Sequence, residues 1–175
     1  MYTTVRNAIV PIAAVEVEFS LFESSILHNS IASTCADLDI PVVAYSPLGR
    51  GILTGKFAVA SDIPADSVLR RMDKYQGENL DNNLRLIQEL LKLAQEHRPY
   101  TMANVAISWI RCLSATNGLP VMIPISGSSK PENVRENAVT VPLTWEDLAR
   151  IWKVLAENKT TGSRSYAGQH RYIEG

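Results

Sequence analysis

The sequence predicts an α/β fold in which βα units build a parallel sheet. Two observations carry this. Short apolar runs alternate with stretches of helical spacing, and each run is followed by such a stretch. With 175 residues, 46% hydrophobic and 20% charged, the chain is long enough to bury a core and too apolar to be disordered.

The first strand is expected over Ala13–Leu21, where Val15, Val17, Phe19 and Leu21 alternate with Glu16, Glu18 and Ser20. A helix is expected over Ser25–Leu38, with Leu27, Ile31, Thr34, Cys35 and Leu38 on one face. Pro41 introduces the second strand, Val42–Tyr45, and the turn-rich SPLGRG closes it. Lys56 to Asn79 reads as a long irregular stretch, functional or mobile. The clearest helix runs from Leu80 to Glu96, with Leu80, Leu84, Ile87, Leu91 and Ala94 at helical spacing. Thr101 can cap the next one, whose stripe is Met102, Val105, Ala106, Trp109, Ile110 and Leu113. The third strand is Val121–Ile125, and Pro131 then suits the first position of a helix ending near Ala138. Thr144 and Asp147 resemble a capping box, with Leu148, Ile151, Trp152 and Leu155 forming the stripe behind it. One domain over residues 1–158 and a flexible tail over 159–175 complete the expected organisation, without repeats.

Charge excludes some partners. Lysine plus arginine number 17 against 18 aspartate plus glutamate, so no broad field draws in nucleic acid or an anionic membrane. Cys35 and Cys112 stand apart and lack ligand-spaced neighbours, which argues against a metal site or disulfides and for a reducing cytoplasm. The opening residues show neither a leader-like apolar segment nor a membrane span.

Two segments are candidates for chemistry. In VMIPISGSSKPENVREN a strand runs into a small-residue turn that opens a helix. Backbone N–H groups of Gly127, Ser128 and Ser129 can converge on an anion there, with Lys130 beside them. An ordinary capped turn explains these residues equally well. In AYSPLGRGILTGK, Gly49, Gly51 and Gly55 make a supple loop, and Tyr45 offers a flat ring for stacking on a heterocycle. The glycine spacing matches neither the dinucleotide fingerprint nor a P-loop.

These two segments, in this order, resemble the loops after the seventh and eighth strands of the aldo-keto reductases. The first strand, AAVEVEFSLF, resembles that family's sixth, and YQGENLDNNLRL resembles the run entering its seventh helix. The match extends from about Ile9 to Asn158 and is closest to the fungal pyridoxal-reductase-like branch. It implies a partial (β/α)8 TIM barrel comprising strands 6–8, their helices and the C-terminal helix. A whole barrel needs roughly 250 residues.

What the resemblance implies for NADP(H) binding is specific. Glu16 stands where the family places an amide on the nicotinamide carboxamide, and a carboxylate can still accept from its NH2. Tyr45 matches the residue stacked on the nicotinamide ring. Ser46, Leu48, Gly49 and Arg50 match the loop along the pyrophosphate. Gly127, Ser128, Ser129 and Lys130 match the grip on the 2′-phosphate, and Asn133, Glu136 and Asn137 match the adenine-side helix. A cation with hydroxyls at that grip favours NADP over NAD. The family's proton-transfer group of Asp, Tyr, Lys and His comes from the first half of the barrel, and none has a matching position here.

Substitutes are not evident. His28, His97 and His170 read as solvated surface histidines, and Tyr75, Tyr100, Tyr166 and Tyr172 have no neighbouring lysine–aspartate pair. Three functions remain open: part of a reductase of small carbonyls such as pyridoxal, a non-catalytic NADP(H)-binding relic, or a fragment that associates with another copy or a complementary half-barrel through open strand edges.

Overall fold

The computed structural model describes residues 10–163, which fall into two compact units. Of these residues, the first comprises those up to Gly49 together with Ala103–Leu143, and the second Arg50–Met102 and those from Thr144 onward. Among the described residues no helix is long and apolar enough to cross a membrane.

The first unit is organised by a parallel sheet with strands in the order β1 (Val15–Glu18), β2 (Val42–Tyr45) and β3 (Met122–Ile125). Register places Val15, Val42 and Met122 side by side, then Glu16, Val43 and Ile123, and ends on Glu18, Tyr45 and Ile125. Because strand side chains alternate between faces, the two glutamates, Val43, Tyr45, Ile123 and Ile125 share one face. The opposite face is the core: Val42, Ala44 and Met122 are buried.

The first strand is shorter than its alternation predicts. After Glu18 the chain turns, with the Ser20 hydroxyl accepting from the N–H groups of Phe22 and Glu23. Phe19, Leu21 and Phe22 are still buried. The predicted helix over Ser25–Leu38 is broken. A 3-10 turn covers Ser25–Leu27, and α1 begins only at Ile31 and runs to Asp37. Ser30 between them is left-handed, at φ 66°, and the Asn29 carboxamide oxygen accepts from Ile31 N–H. Asparagine and serine offer the backbone such local alternatives to helix.

Helix α2 spans Gly77–Glu96 and α3 spans Met102–Leu113. The single stripe expected for α3 gives way to burial all round from Met102 to Ile110. Its two buried polar residues have partners: the Ser108 hydroxyl accepts from Val141 N–H at 2.8 Å, and the Asn104 amide donates to the Glu136 carbonyl at 2.6 Å. Trp109, fully buried, meets the Phe19 ring at a centroid distance of 5.2 Å. Helix α4, Pro131–Ala138, starts on its proline as expected.

In the second unit the stretch predicted to be irregular is so, but it is packed. Three 3-10 turns, Ala60–Asp62, Val68–Arg71 and Asp73–Tyr75, bury Ile63, Leu69, Met72 and Tyr75. The Arg70 guanidinium ties them by donating to the carbonyls of Ala60, Ile63 and Pro64. Helix α2 packs against α5, Trp145–Glu157, and their opposite ends meet, so the two run antiparallel. Leu148 and Ile151 are buried as predicted, whereas Trp152 is 37% exposed and lies on the margin of that face.

The predicted capping box is present. Thr144 accepts from Asp147 N–H, and the Asp147 carboxylate accepts from the Thr144 N–H and hydroxyl, both at 2.8 Å. Asp147 also bonds His97 at the end of α2, at 3.0 Å. Burial pushes the Asp147 carboxyl up, but the bonds from Thr144 and from His97 outweigh it and hold the group below its ordinary value. A depressed carboxyl stabilises the fold above its unfolded pKa, near 3.9, and that stability is lost as pH falls through the folded value. Thr144→Ala is therefore expected to cost about 1 kcal/mol at neutral pH. Urea unfolding should show the gap between wild type and Asp147→Asn closing as pH is lowered below about 4. A constant gap across that range would show that the Asp147 charge contributes nothing.

Lys159–Ser163, where the tail was expected to begin, are hydrogen-bonded to Asp73 and to the start of α2. The rest of the predicted tail, with His170, Tyr166 and Tyr172, lies outside the described residues.

Candidate functional site

Two of the predicted segments leave the first unit's sheet at the same strand ends. Tyr45 and Ile125 are register partners on adjacent parallel strands, so the loops that follow them leave the same end, side by side. Tyr45 is half-buried on the sheet face that carries Glu16 and Glu18. Ser46, the next residue, takes a left-handed φ of 51°, and its carbonyl accepts from Gly49 N–H at 2.8 Å. Pro47 and Gly49 are buried and Leu48 is half-buried, so this turn is a fixed corner.

The chain then holds three consecutive positive φ values, at Gly49 (53°), Arg50 (57°) and Gly51 (101°). Glycine takes this conformation freely, whereas at Ser46 and Arg50 it costs about 1–3 kcal/mol each and persists only where surroundings impose it. Arg50 belongs to the second unit, where its guanidinium donates to the Met72 Sδ at 3.4 Å.

At the end of β3, Gly127, Ser128, Ser129 and Lys130 are all exposed. The Ser128 hydroxyl accepts from Lys130 N–H at 3.1 Å and shapes the entry to α4. No side chain caps that helix, and Pro131 at its first turn contributes no N–H. Open space surrounds Gly127 where a Cβ would project, so a ligand has room to approach its backbone. Behind the turn, Asn133 and Glu136 are half-buried, and Asn137 is buried. The Glu136 carbonyl is occupied by Asn104.

Glu18, which was not among the predicted site residues, shares the face of Tyr45. It lies directly beside Tyr45 in register and is buried, whereas Glu16 is exposed one step further from the strand end. The signal was available, because the Val–Glu–Val–Glu alternation puts both carboxylates on one face.

The expected solvated histidines divide. His28 is exposed as predicted. His97 is not a free surface group, since its side chain is only 20% exposed and is bound to Asp147, fifty positions away. Tyr75 is buried and Tyr100 half-buried. Among the described residues no cluster of His, Cys, Asp and Glu is arranged to hold a metal.

The Aldo/keto reductase family model matches residues 1–156. The chain is 37% identical to a Schizosaccharomyces pombe protein named "Probable pyridoxal reductase 2", covering 90% of this chain and 47% of that protein. It is 36% identical to "Probable aldo-keto reductase 1" of Glycine max, covering 93% of this chain and 45% of the other. Among solved structures it resembles a glycerol dehydrogenase from Gluconobacter oxydans, with a TM-score of 0.73 at 25% identity over 94% of this chain and 49% of that one. The chain thus spans about half the length of the relatives it matches.

Proposed function

Because the chain belongs to the aldo/keto reductase family, we propose that it is the cofactor-holding part of an NADP(H)-dependent oxidoreductase acting on small aldehydes or ketones. In this reading β1, β2 and β3 are the sixth, seventh and eighth strands of a (β/α)8 barrel. One observation carries it. Tyr45 and Ile125 are paired in register, so a ring platform and an anion-friendly turn sit at neighbouring strand tips.

The residues fit the cofactor. Tyr45 is the floor for the nicotinamide ring, with Ser46, Leu48, Gly49 and Arg50 assigned to the pyrophosphate. Gly127 to Lys130 are assigned to the 2′-phosphate, and the open space at Gly127 is what a close backbone approach requires. Asn133, Glu136 and Asn137 are assigned to the adenine side, the buried Asn137 as a support for that helix. When bound, NADPH supplies the hydride, while these residues only position it. Proton donation falls to the Asp, Tyr, Lys and His of the family's other half, so turnover needs those βα units in addition. Pyridoxal, from the name of the S. pombe relative, is the first substrate to test.

The test is titration of the purified chain with NADPH and NADH, followed by tryptophan fluorescence and calorimetry. Saturable binding with NADPH the tighter ligand is expected. No response at millimolar NADPH would remove the reading, and reduction of pyridoxal by this chain alone would show that it needs no other half.

Glu16 adds a prediction. A carboxylate close to the nicotinamide favours the ring's cationic, oxidised form. Glu16→Gln should therefore weaken NADP+ severalfold relative to NADPH, read as the ratio of two dissociation constants. An unchanged ratio would place Glu16 away from the ring.

One observation favours a second reading. Val121, Ile123 and Ile125 of the third strand and its entry are 45–47% exposed, an apolar row at an open sheet edge. A fragment that self-associates there would be dimeric by light scattering without NADPH, and Ile123→Lys would make it monomeric.

A further inference from the structure

In the second unit a short C-terminal strap lies across a corner made by the Asp73–Tyr75 turn and the first turns of α2. Asn83 is at the centre. It is 2% exposed, although asparagine in a helix normally faces water. Its amide nitrogen donates to the Lys74 carbonyl at 2.8 Å and to the Thr161 carbonyl at 2.9 Å, and its oxygen accepts from Thr161 N–H at 2.9 Å. One side chain thus binds the turn on one side and both polar groups of a strap residue on the other. Asn82 adds a bond to the Lys159 carbonyl at 2.9 Å, and the Asp73 carboxylate accepts from Ser163 N–H at 2.8 Å.

Shape fits as closely as polarity. Gly162 runs at φ 88°, and a Cβ there would lie 2.8 Å from Lys74 N and 2.9 Å from its Cα, with Asn79 Nδ2 at 3.0 Å. Only glycine lets the strap lie this close to that turn. The strap's attachments are hydrogen bonds to side chains, whereas α2 and α5 are held by buried leucine and isoleucine. Regions held by few apolar contacts open at lower free energy than the core beside them.

We propose that Asn83 is the lock of a C-terminal strap: it clamps Lys159–Ser163 onto the corner at Asp73–Tyr75, and the strap opens as a unit while α2 and α5 stay packed. Asn83 is thus a positioning residue for Lys159–Ser163, acting through the bonds it makes to the turn and to Thr161. The proposal is independent of the cofactor reading, since every contact lies in the second unit.

The experiment is hydrogen exchange by mass spectrometry on the full chain, with limited trypsin digestion at Lys159. Asn83→Asp keeps the size and the acceptors but removes both donated bonds and sets a carboxylate against two carbonyls. The Thr161 and Ser163 amides should exchange at least tenfold faster, with cleavage after Lys159, while the centre of α5 keeps wild-type protection. Gly162→Ala should do the same from the other side of the contact without touching Asn83, and it serves if Asn83→Asp fails to fold. The proposal is overturned if strap exchange rises only in step with α2 and α5. It is equally overturned if the wild-type strap exchanges at unprotected rates.

Discussion

Replacing Trp109 by alanine is expected to destabilise the first unit by about 3–5 kcal/mol, the range for deleting a large buried aromatic. Trp109 is 0% exposed on a helix that is buried all round, and its ring is tilted at 38° to Phe19 with centroids 5.2 Å apart. The aromatic pair adds about 0.5–1.5 kcal/mol beyond area burial. The void also falls where the neighbours have little room to close in, because Phe19, Ala106 and Ile110 are themselves fully buried. Far-UV circular dichroism against urea is the suitable readout, since the substitution deletes a fluorophore. A two-unit chain need not unfold in one step, so the first-unit transition is the one to compare. Trp109→Phe should recover much of the loss. If the alanine variant loses under about 1 kcal/mol, the indole is not the centre of this core.

Much of this architecture is local in the sequence, and local signals were read correctly. Pro41 and SPLGRG bracket β2 to the residue, and Thr144 with Asp147 announces α5 because both halves of a capping box lie within one turn. Reading failed where a distant group decides the outcome, and at one break that local bonding decides. His97 looked solvated because its partner is fifty residues away. The helix expected through His28, Asn29 and Ser30 fails at a position where side-chain bonding competes with the helix and the backbone goes left-handed. Trp152 shares a helical stripe with Leu148 and Ile151, yet periodicity does not reveal how wide the covered face is. Asn83 was legible and passed over: it falls three positions after Leu80 and four before Ile87, on the apolar face of α2. A polar residue at such a position must find partners, and there it binds a strap about eighty residues later. The strand ends with their paired loops are intermediate. The segments are visible one at a time, but only register shows that Tyr45 and Ile125 end side by side.

Lys130→Ala is expected to weaken NADPH binding by about 1–3 kcal/mol while leaving NADH nearly unchanged, which on NADPH is roughly a 5- to 150-fold rise in Kd. The two cofactors differ only in the 2′-phosphate, so whatever contacts that group alone must appear as a difference between them. In the proposed reading Lys130 is that contact. It is exposed at the N-terminal boundary of α4, where unbonded N–H groups and the helix dipole both favour an anion. Pro131 subtracts one donor from that array, and the Lys130 N–H is already engaged by Ser128, which leaves the ammonium as the chief charged contact. Calorimetry at several ionic strengths adds a second criterion, because a contact between exposed charges weakens as salt shortens the screening length to about 8 Å at 0.15 M. The wild-type preference for NADPH should shrink with salt, and the alanine variant should lack that dependence. Lys130→Arg should retain most of the preference, since the charge is kept. Equal losses on NADPH and NADH would remove Lys130 from the 2′-phosphate and leave the SGSSK turn as an ordinary start to a helix.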